Sequence, residues 1–140
     1  MIRLTRRYRF SASHRLHSAH LSEAENAQLY GKCNHPFGHG HDYVLDVSVA
    51  GPVDPQNGTA VLLPALDRLV DACVVSQFEH RDLNSEAPEF ADLVPTSENL
   101  VRVIEDRLKS NWGAHFPSPW PRLEKIRLQE TKRNLFEQTA

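Results

Sequence analysis

A strand that opens on two histidines constrains this chain more than any other feature. In Gly38-His39-Gly40-His41-Asp42-Tyr43 and the residues that follow, Tyr43, Leu45, Val47 and Val49 alternate with Asp42, Asp46 and Ser48. Side chains on a strand repeat every second residue, so the odd positions make an apolar face and the even positions a polar one. Carried backwards, that register puts His39 and His41 on the apolar face. Two imidazoles two residues apart on an extended backbone point the same way, a spacing that suits one shared metal ion. A single inward histidine is ordinarily a hydrogen-bonded core residue. Two in register, separated only by glycine, predict a metal.

The first strand, residues 2–14, repeats the pattern. Ile2, Leu4, Tyr8, Phe10, Ala12 and His14 share a face, with Arg6 the one break, and Arg3, Thr5, Arg7, Arg9, Ser11 and Ser13 lie opposite. His14 thus ends an apolar face as His39 begins one. Alone it reads as a core histidine. If the two strands pair antiparallel, its ring converges with those of His39 and His41, and three such ligands leave a fourth position open on tetrahedral zinc, the pattern of a catalytic site. The charges of Arg3, Arg6, Arg7 and Arg9 read as a solvated strand edge.

The remaining chain supplies a frame. Residues 15–32 are polar and irregular, with His17, His20 and, beyond them, His35 placed at the surface or behind the ligands. Gly51-Pro52-Val53-Asp54-Pro55-Gln56-Asn57-Gly58 is turn chemistry. A helix follows with Pro64 in its first turn and Leu62, Leu66, Leu69, Val70, Cys73 and Val74 as its apolar stripe. Phe78 to Asn84 closes that helix and opens a long loop. Thr96 or Ser97 caps a second helix, with Leu100, Val101, Ile104 and Leu108 inward and Gly113 beyond its end. A strand from Leu123 aligns Ile126, Leu128 and Glu130, so Glu130 is either a carboxylate aimed at the interior or an edge-strand glutamate turned to solvent. A last short strand is expected over 134–138.

Composition excludes some classes. At 140 residues the chain is read as a single domain over 1–140. A formal charge of −2 gives no reason to expect nucleic acid, and no apolar run approaches the roughly 20 residues of a membrane span. No signal peptide is recognised at its start. Two cysteines make no disulfide framework, which predicts a reducing, cytoplasmic setting.

Taken in order, Phe10-Ser11-Ala12-Ser13-His14, Gly31-Lys32-Cys33 with Gly38-His39-Gly40-His41, Glu79-His80-x-x-Leu83-Asn84, Thr96-Ser97-Glu98-Asn99 and Glu130-Thr131 resemble the 6-pyruvoyltetrahydropterin synthase family, which includes the 6-carboxytetrahydropterin synthases. The resemblance covers the chain from about Tyr8 to Asn134. It implies an α+β tunnelling fold (T-fold): an antiparallel sheet of four strands with two helices on one face. Trimers would close into barrels and stack as a homohexamer, with active sites between subunits. It implies zinc held by His14, His39 and His41, Cys33 as the catalytic thiol, and Glu79 and His80 as its relay. Glu130 would anchor the pterin ring in a pocket lined by Thr96, Ser97 and Glu98. Glu79 stands where the family usually has Asp, which keeps the charge and lengthens its reach.

The activity so implied is a lyase reaction on 7,8-dihydroneopterin triphosphate, giving 6-pyruvoyltetrahydropterin with loss of triphosphate. The alternative within the family is the 6-carboxytetrahydropterin branch, on the same substrate. Zinc would polarise side-chain oxygens, and a thiolate generated by a nearby cation or histidine would take a carbon-bound proton. A different class of reading is a non-catalytic scaffold in which Cys33 closes the metal site as fourth ligand.

Overall fold

The two histidine-bearing strands pair antiparallel along their entire length. In the computed structural model, which describes residues Met1–Ala140, β1 (Ile2–His14) runs against β2 (His39–Gly51) from Ile2↔Gly51 to His14↔His39. The pairing sets the apolar residues of both strands side by side, with Phe10 stacked on Tyr43 at 5.1 Å. β3 (Arg81–Asp82) adds parallel to β1 at Ala12 and Ser13. β4 (Arg122–Gln129) joins the far side of β2, and β5 (Leu135–Thr139) joins β4, both antiparallel.

The sheet therefore has five strands in the order β3-β1-β2-β4-β5, where four were expected. The difference lies in β3, which is two residues long and carries no alternation for a sequence pattern to register. Because β3 covers so little of β1, residues 2–10 leave one backbone edge unpaired.

Helices cover the apolar face. α1 (Glu23–Tyr30) stands where an irregular segment was expected. It has no apolar stripe, and a capping box at Ser22 and Glu25 starts it. α2 (Leu63–Val70) has Pro64 in its first turn, runs on through a π turn (Asp71–Val75), and ends at Ser76–Phe78. α3 (Ser97–His115) is capped by Thr96, whose hydroxyl accepts from the Asn99 amide at 3.2 Å. It passes through Gly113 and stops at Phe116, because tertiary packing of Trp112 on Phe116 (5.0 Å) holds a last turn that glycine alone disfavours.

Leu66, Leu69, Val74 and Phe78 meet Leu100, Ile104 and Leu108 over Leu45, Val47, Ile126 and Leu128, all fully buried. On the uncovered face the basic run of β1 is mostly paired. Arg7 forks onto Asp46 at 2.8 and 3.1 Å, Arg127 reaches the same carboxylate at 3.1 Å, and Arg3 meets Glu124. Arg6, the break in the apolar row, pairs with Asp67 of α2 at 3.0 Å, and Tyr8 donates to that carboxylate at 2.7 Å.

Candidate active site

The register His14↔His39 brings the predicted ligands together at one end of the sheet. His41 Nε2 lies 2.8 Å from His39 Nε2 and 3.1 Å from His14 Nε2. His14 is fully buried. Its Nδ1 is 2.8 Å from the Pro95 carbonyl, which only accepts, so Nδ1 carries the hydrogen and Nε2 presents a lone pair to the cluster. Burial pushes His14 below the ordinary imidazole value, and His41 likewise, so both are neutral and available as ligands at neutral pH. His39 Nδ1 is buried without a partner.

Two further donors reach the cluster. Cys33 Sγ is 3.6 Å from His39 Nε2, and Glu130 Oε1 is 3.8 Å from His41 Nε2. Glu130 thus turns inward, in line with Ile126 and Leu128, and its other oxygen accepts from the Ser97 hydroxyl. Burial raises the Cys33 thiol above its ordinary value, and the Glu130 charge raises it further.

A tight turn fixes the approach of the thiol to the ligands. The Gly38 amide donates to His35 O at 2.8 Å, and Gly38 has φ +69°. A Cβ there would lie 2.6 Å from the His14 carbonyl oxygen, so only glycine lets the loop lie against the end of β1.

Other predicted residues are placed elsewhere. Thr96 spends its hydroxyl on the α3 cap, and Glu98 is exposed in the first turn of α3, apart from the cluster. Glu79 and His80 touch one another at 2.9 Å, and Glu79 also accepts from the Ser11 amide at 3.2 Å. His80 is held by a 2.6 Å bond from its amide to Ser11 O, in a left-handed conformation at φ 56°. Such strain in a non-glycine residue marks a position held for a purpose. Its ring is exposed and lines a hollow of about 460 Å³ with Ser11, Ser13 and Asp42, the side chains that alternate away from the core. Within one chain, therefore, Glu79 and His80 do not meet Cys33. A hollow of about 740 Å³ beside Pro52, Phe116 and Trp120 is lined by none of the predicted site residues.

Tyr43, Asn34 and Asn84 were not expected at the site. The Tyr43 hydroxyl lies 3.5 Å from His14 Nδ1, and burial pushes its pKa well above the ordinary phenol value, so it stays protonated. Asn34 and Asn84 tie the chain after His14 in place: Asn34 donates to Leu16 O at 2.8 Å, while Asn84 accepts from the Arg15 amide at 2.7 Å and donates to its carbonyl at 2.9 Å. The only sequence signal for them is an asparagine inside each motif.

The chain is similar to known proteins along nearly its whole length. The family described as 6-pyruvoyl tetrahydropterin synthase matches residues 3–140. The chain is 40% identical over 132 residues to the 6-pyruvoyl tetrahydrobiopterin synthase of Poecilia reticulata, covering 94% of this chain and 86% of that protein. It is 39% identical to that of Homo sapiens, covering 94% and 87%. The solved Caenorhabditis elegans 6-pyruvoyl tetrahydropterin synthase superposes with a TM-score of 0.89 at 37% identity, over 99% of this chain and 95% of that one.

Proposed function

The chain belongs to the 6-pyruvoyl tetrahydropterin synthase family, and from that premise we propose that it is a lyase converting 7,8-dihydroneopterin triphosphate to 6-pyruvoyltetrahydropterin with loss of triphosphate. The observation that carries the reading is the convergence of three imidazole Nε2 atoms beside a thiol and an inward carboxylate, with the His14 tautomer set by Pro95. Three histidine nitrogens are a donor set that suits zinc with one position left for substrate. Zinc held by His14, His39 and His41 would supply Lewis acidity toward the substrate's side-chain oxygens.

The protein's own residues do the rest. Glu130 accepts hydrogen bonds from the guanidine-like edge of the pterin, with Ser97 fixing its second oxygen. Pairing with ring N–H groups offsets the negative charge that raises Cys33, so substrate binding itself favours the thiolate. Cys33 then takes the carbon-bound proton as general base. The hydrogens that the side-chain carbons lose reappear on the ring, so no external oxidant or reductant enters, and triphosphate leaves with the electron pair of its C–O bond.

Glu79 and His80 serve as the relay to Cys33 from an adjacent copy, since in one chain they lie on the other side of β1. This reading carries a homohexamer of two trimers, the unpaired edge of β1 being covered by a neighbour. Both cysteines are free, consistent with the reducing environment of the cytoplasm, and no helix is long and apolar enough to cross a membrane.

The 3.6 Å approach of Cys33 to His39 also suits a closed site with the thiol as ligand. Two measurements decide. Mass spectrometry of the product from dihydroneopterin triphosphate should give 6-pyruvoyltetrahydropterin, and 6-carboxytetrahydropterin or no turnover would refute the activity. Mixed assemblies of inactive Cys33→Ala and His80→Ala chains should regain part of the activity if the site spans two copies.

A further inference from the structure

His80 is the one non-glycine residue of the chain with positive φ, and such a conformation persists only where its surroundings over-determine it. The Ser11 backbone holds this segment from one side, accepting from the His80 amide at 2.6 Å and donating to the Glu79 carboxylate at 3.2 Å. On the other side the chain arrives from the π turn Asp71–Val75, a rare conformation met mostly at functional sites. A side chain from a different helix reaches that turn. We infer that Arg107, locked by Glu89, positions Glu79 and His80 for their proton transfer, an inference that rests on the relay role proposed above.

The contacts of Arg107 are directed at the approach to the relay. From α3, its Nη1 donates to the Cys73 carbonyl, inside the π turn, at 3.1 Å. Its guanidinium lies over the Phe78 ring at 4.5 Å, and Phe78 is fully buried immediately before Glu79. One side chain thus touches both the turn and the last core residue ahead of the pair. The Ser76 hydroxyl, donating to Asp71 O at 2.6 Å, closes the same turn from within the helix.

The guanidinium itself is held in one orientation. Nε donates to Glu89 Oε2 at 2.6 Å and Nη2 to Oε1 at 2.7 Å, the two parallel bonds that a planar fork makes with a carboxylate. Glu89 belongs to the 3₁₀ turn Pro88–Ala91, which the buried ring of Phe90 anchors in the core. The hydrogen bond from Arg107 keeps its carboxyl below the ordinary carboxylate value, so the pair is charged at neutral pH. Only 18% of the Arg107 side chain is exposed, so water competes little for these bonds.

A staple between α3 and the turn before it needs no more than the fork on Glu89. The bond to Cys73 O and the stacking on Phe78 are additional, and both fall on the residues that lead into Glu79. The proposed metal ligands His14, His39 and His41 stand on β1 and β2, and Glu130 follows β4, none of them on this helix. Arg107 therefore supports the relay and leaves substrate binding alone.

Arg107→Met in zinc-loaded protein tests this. Its kcat should fall about tenfold to a hundredfold, the scale of a misplaced catalytic group, with KM and zinc content unchanged. Hydrogen exchange of the Glu79 and His80 amides, bonded to Val75 O and Ser11 O in the parent, should quicken. Arg107→Lys keeps the charge without the fork and should resemble the Met variant. If Arg107→Met does not fold, Glu89→Gln, which loosens the guanidinium without emptying its place, should show the same loss in smaller measure. Arg6→Met cuts a comparable tie, to Asp67 ahead of the π turn, and should lower Tm while leaving kcat and that exchange as they are. Equal losses of kcat in the Arg6 and Arg107 variants would reduce the effect to stability and overturn the inference. So would parental kcat in Arg107→Lys, or a kcat and KM that worsen together. Absence of turnover in the parent would defeat the proposed function, whereas unaltered exchange in Arg107→Met would overturn the positioning role whatever the activity.

Discussion

His14 and Pro95, 81 residues apart in the chain, are joined by a hydrogen bond of 2.8 Å from a ring nitrogen to a carbonyl. The bond ties the end of the first strand to the residue preceding the cap of α3, and it decides which nitrogen of His14 faces His39 and His41. Second partners of this kind orient a metal-binding imidazole and raise its basicity.

Purified protein should accordingly hold about one zinc per chain, as three histidine ligands on a shared site imply. Elemental analysis of a His39→Ala/His41→Ala variant should find the zinc and the activity lost together. Full occupancy in that variant would remove the ligand assignment.

Cys33→Ala should keep its zinc and its pterin binding yet turn over at least about a hundredfold more slowly, the scale of general-base catalysis. Loss of zinc instead would make the thiol a ligand. Because the Glu130 charge helps hold the thiol high, Glu130→Gln should move Cys33 titration to lower pH. The pH dependence of alkylation by iodoacetamide reads this directly, and an unmoved profile would mean that burial alone sets the thiol.

Gly38 and Gly58 make a matched pair of substitutions. Both have positive φ, +69° and +74°, but an added Cβ at Gly38 meets the His14 backbone while at Gly58 it meets nothing. Alanine at either should cost about 1–3 kcal/mol of backbone strain, seen as a lower Tm. Gly38→Ala alone should also weaken zinc binding, since relief of the clash displaces His14 or His39. Equal zinc affinity in the two variants would contradict the packing described.

Acid stability should report on Asp46. Hydrogen bonds from Arg7, then Arg127, hold its carboxyl below the ordinary 3.8, against the opposing effect of burial. A carboxylate depressed in the folded state stabilises fully above its unfolded value and ceases to do so as pH falls through its folded one. Asp46→Asn should therefore be less stable than the parent by about 2 kcal/mol at neutral pH, the scale of a charged hydrogen bond. Urea titrations should show that gap closing as pH drops below 3.8; a gap constant with pH would mean that the ion pairs contribute nothing.

Alternation made β1 and β2 legible, and with them the convergence of His14, His39 and His41, because pairing of two strands needs only their period. The same rule put Glu130 in line with Ile126 and Leu128 but left open whether its carboxylate turned inward, because the residue lies just past the end of β4. α1 was not legible: it has no apolar stripe, and its one fully buried residue is Asn26, held by bonds to Ser18 and Leu21 that no periodicity encodes. Glu98 was legible only as part of a motif, and motif neighbours on a helix turn point in different directions. Glu79 and His80 were legible as a pair, but their distance from Cys33 is a property of the fold in three dimensions.

The π turn at Asp71–Val75 amounts to one residue more than a regular helix requires. That surplus shifts the phase of everything after it, so Phe78 arrives in line with Val74 and lies 5.8 Å from the Phe10 ring and beneath the Arg107 guanidinium at 4.5 Å. Cys73, which a regular stripe would bury, is left half-exposed. Removing a single residue from this turn would rewind the helix and rotate its end by about 100°. Phe78 would swing out of the core, and Glu79 and His80, the next residues along, would leave Ser11. The chain thus uses a counting offset inside a helix as a vernier that aligns a turn on the far side of the sheet.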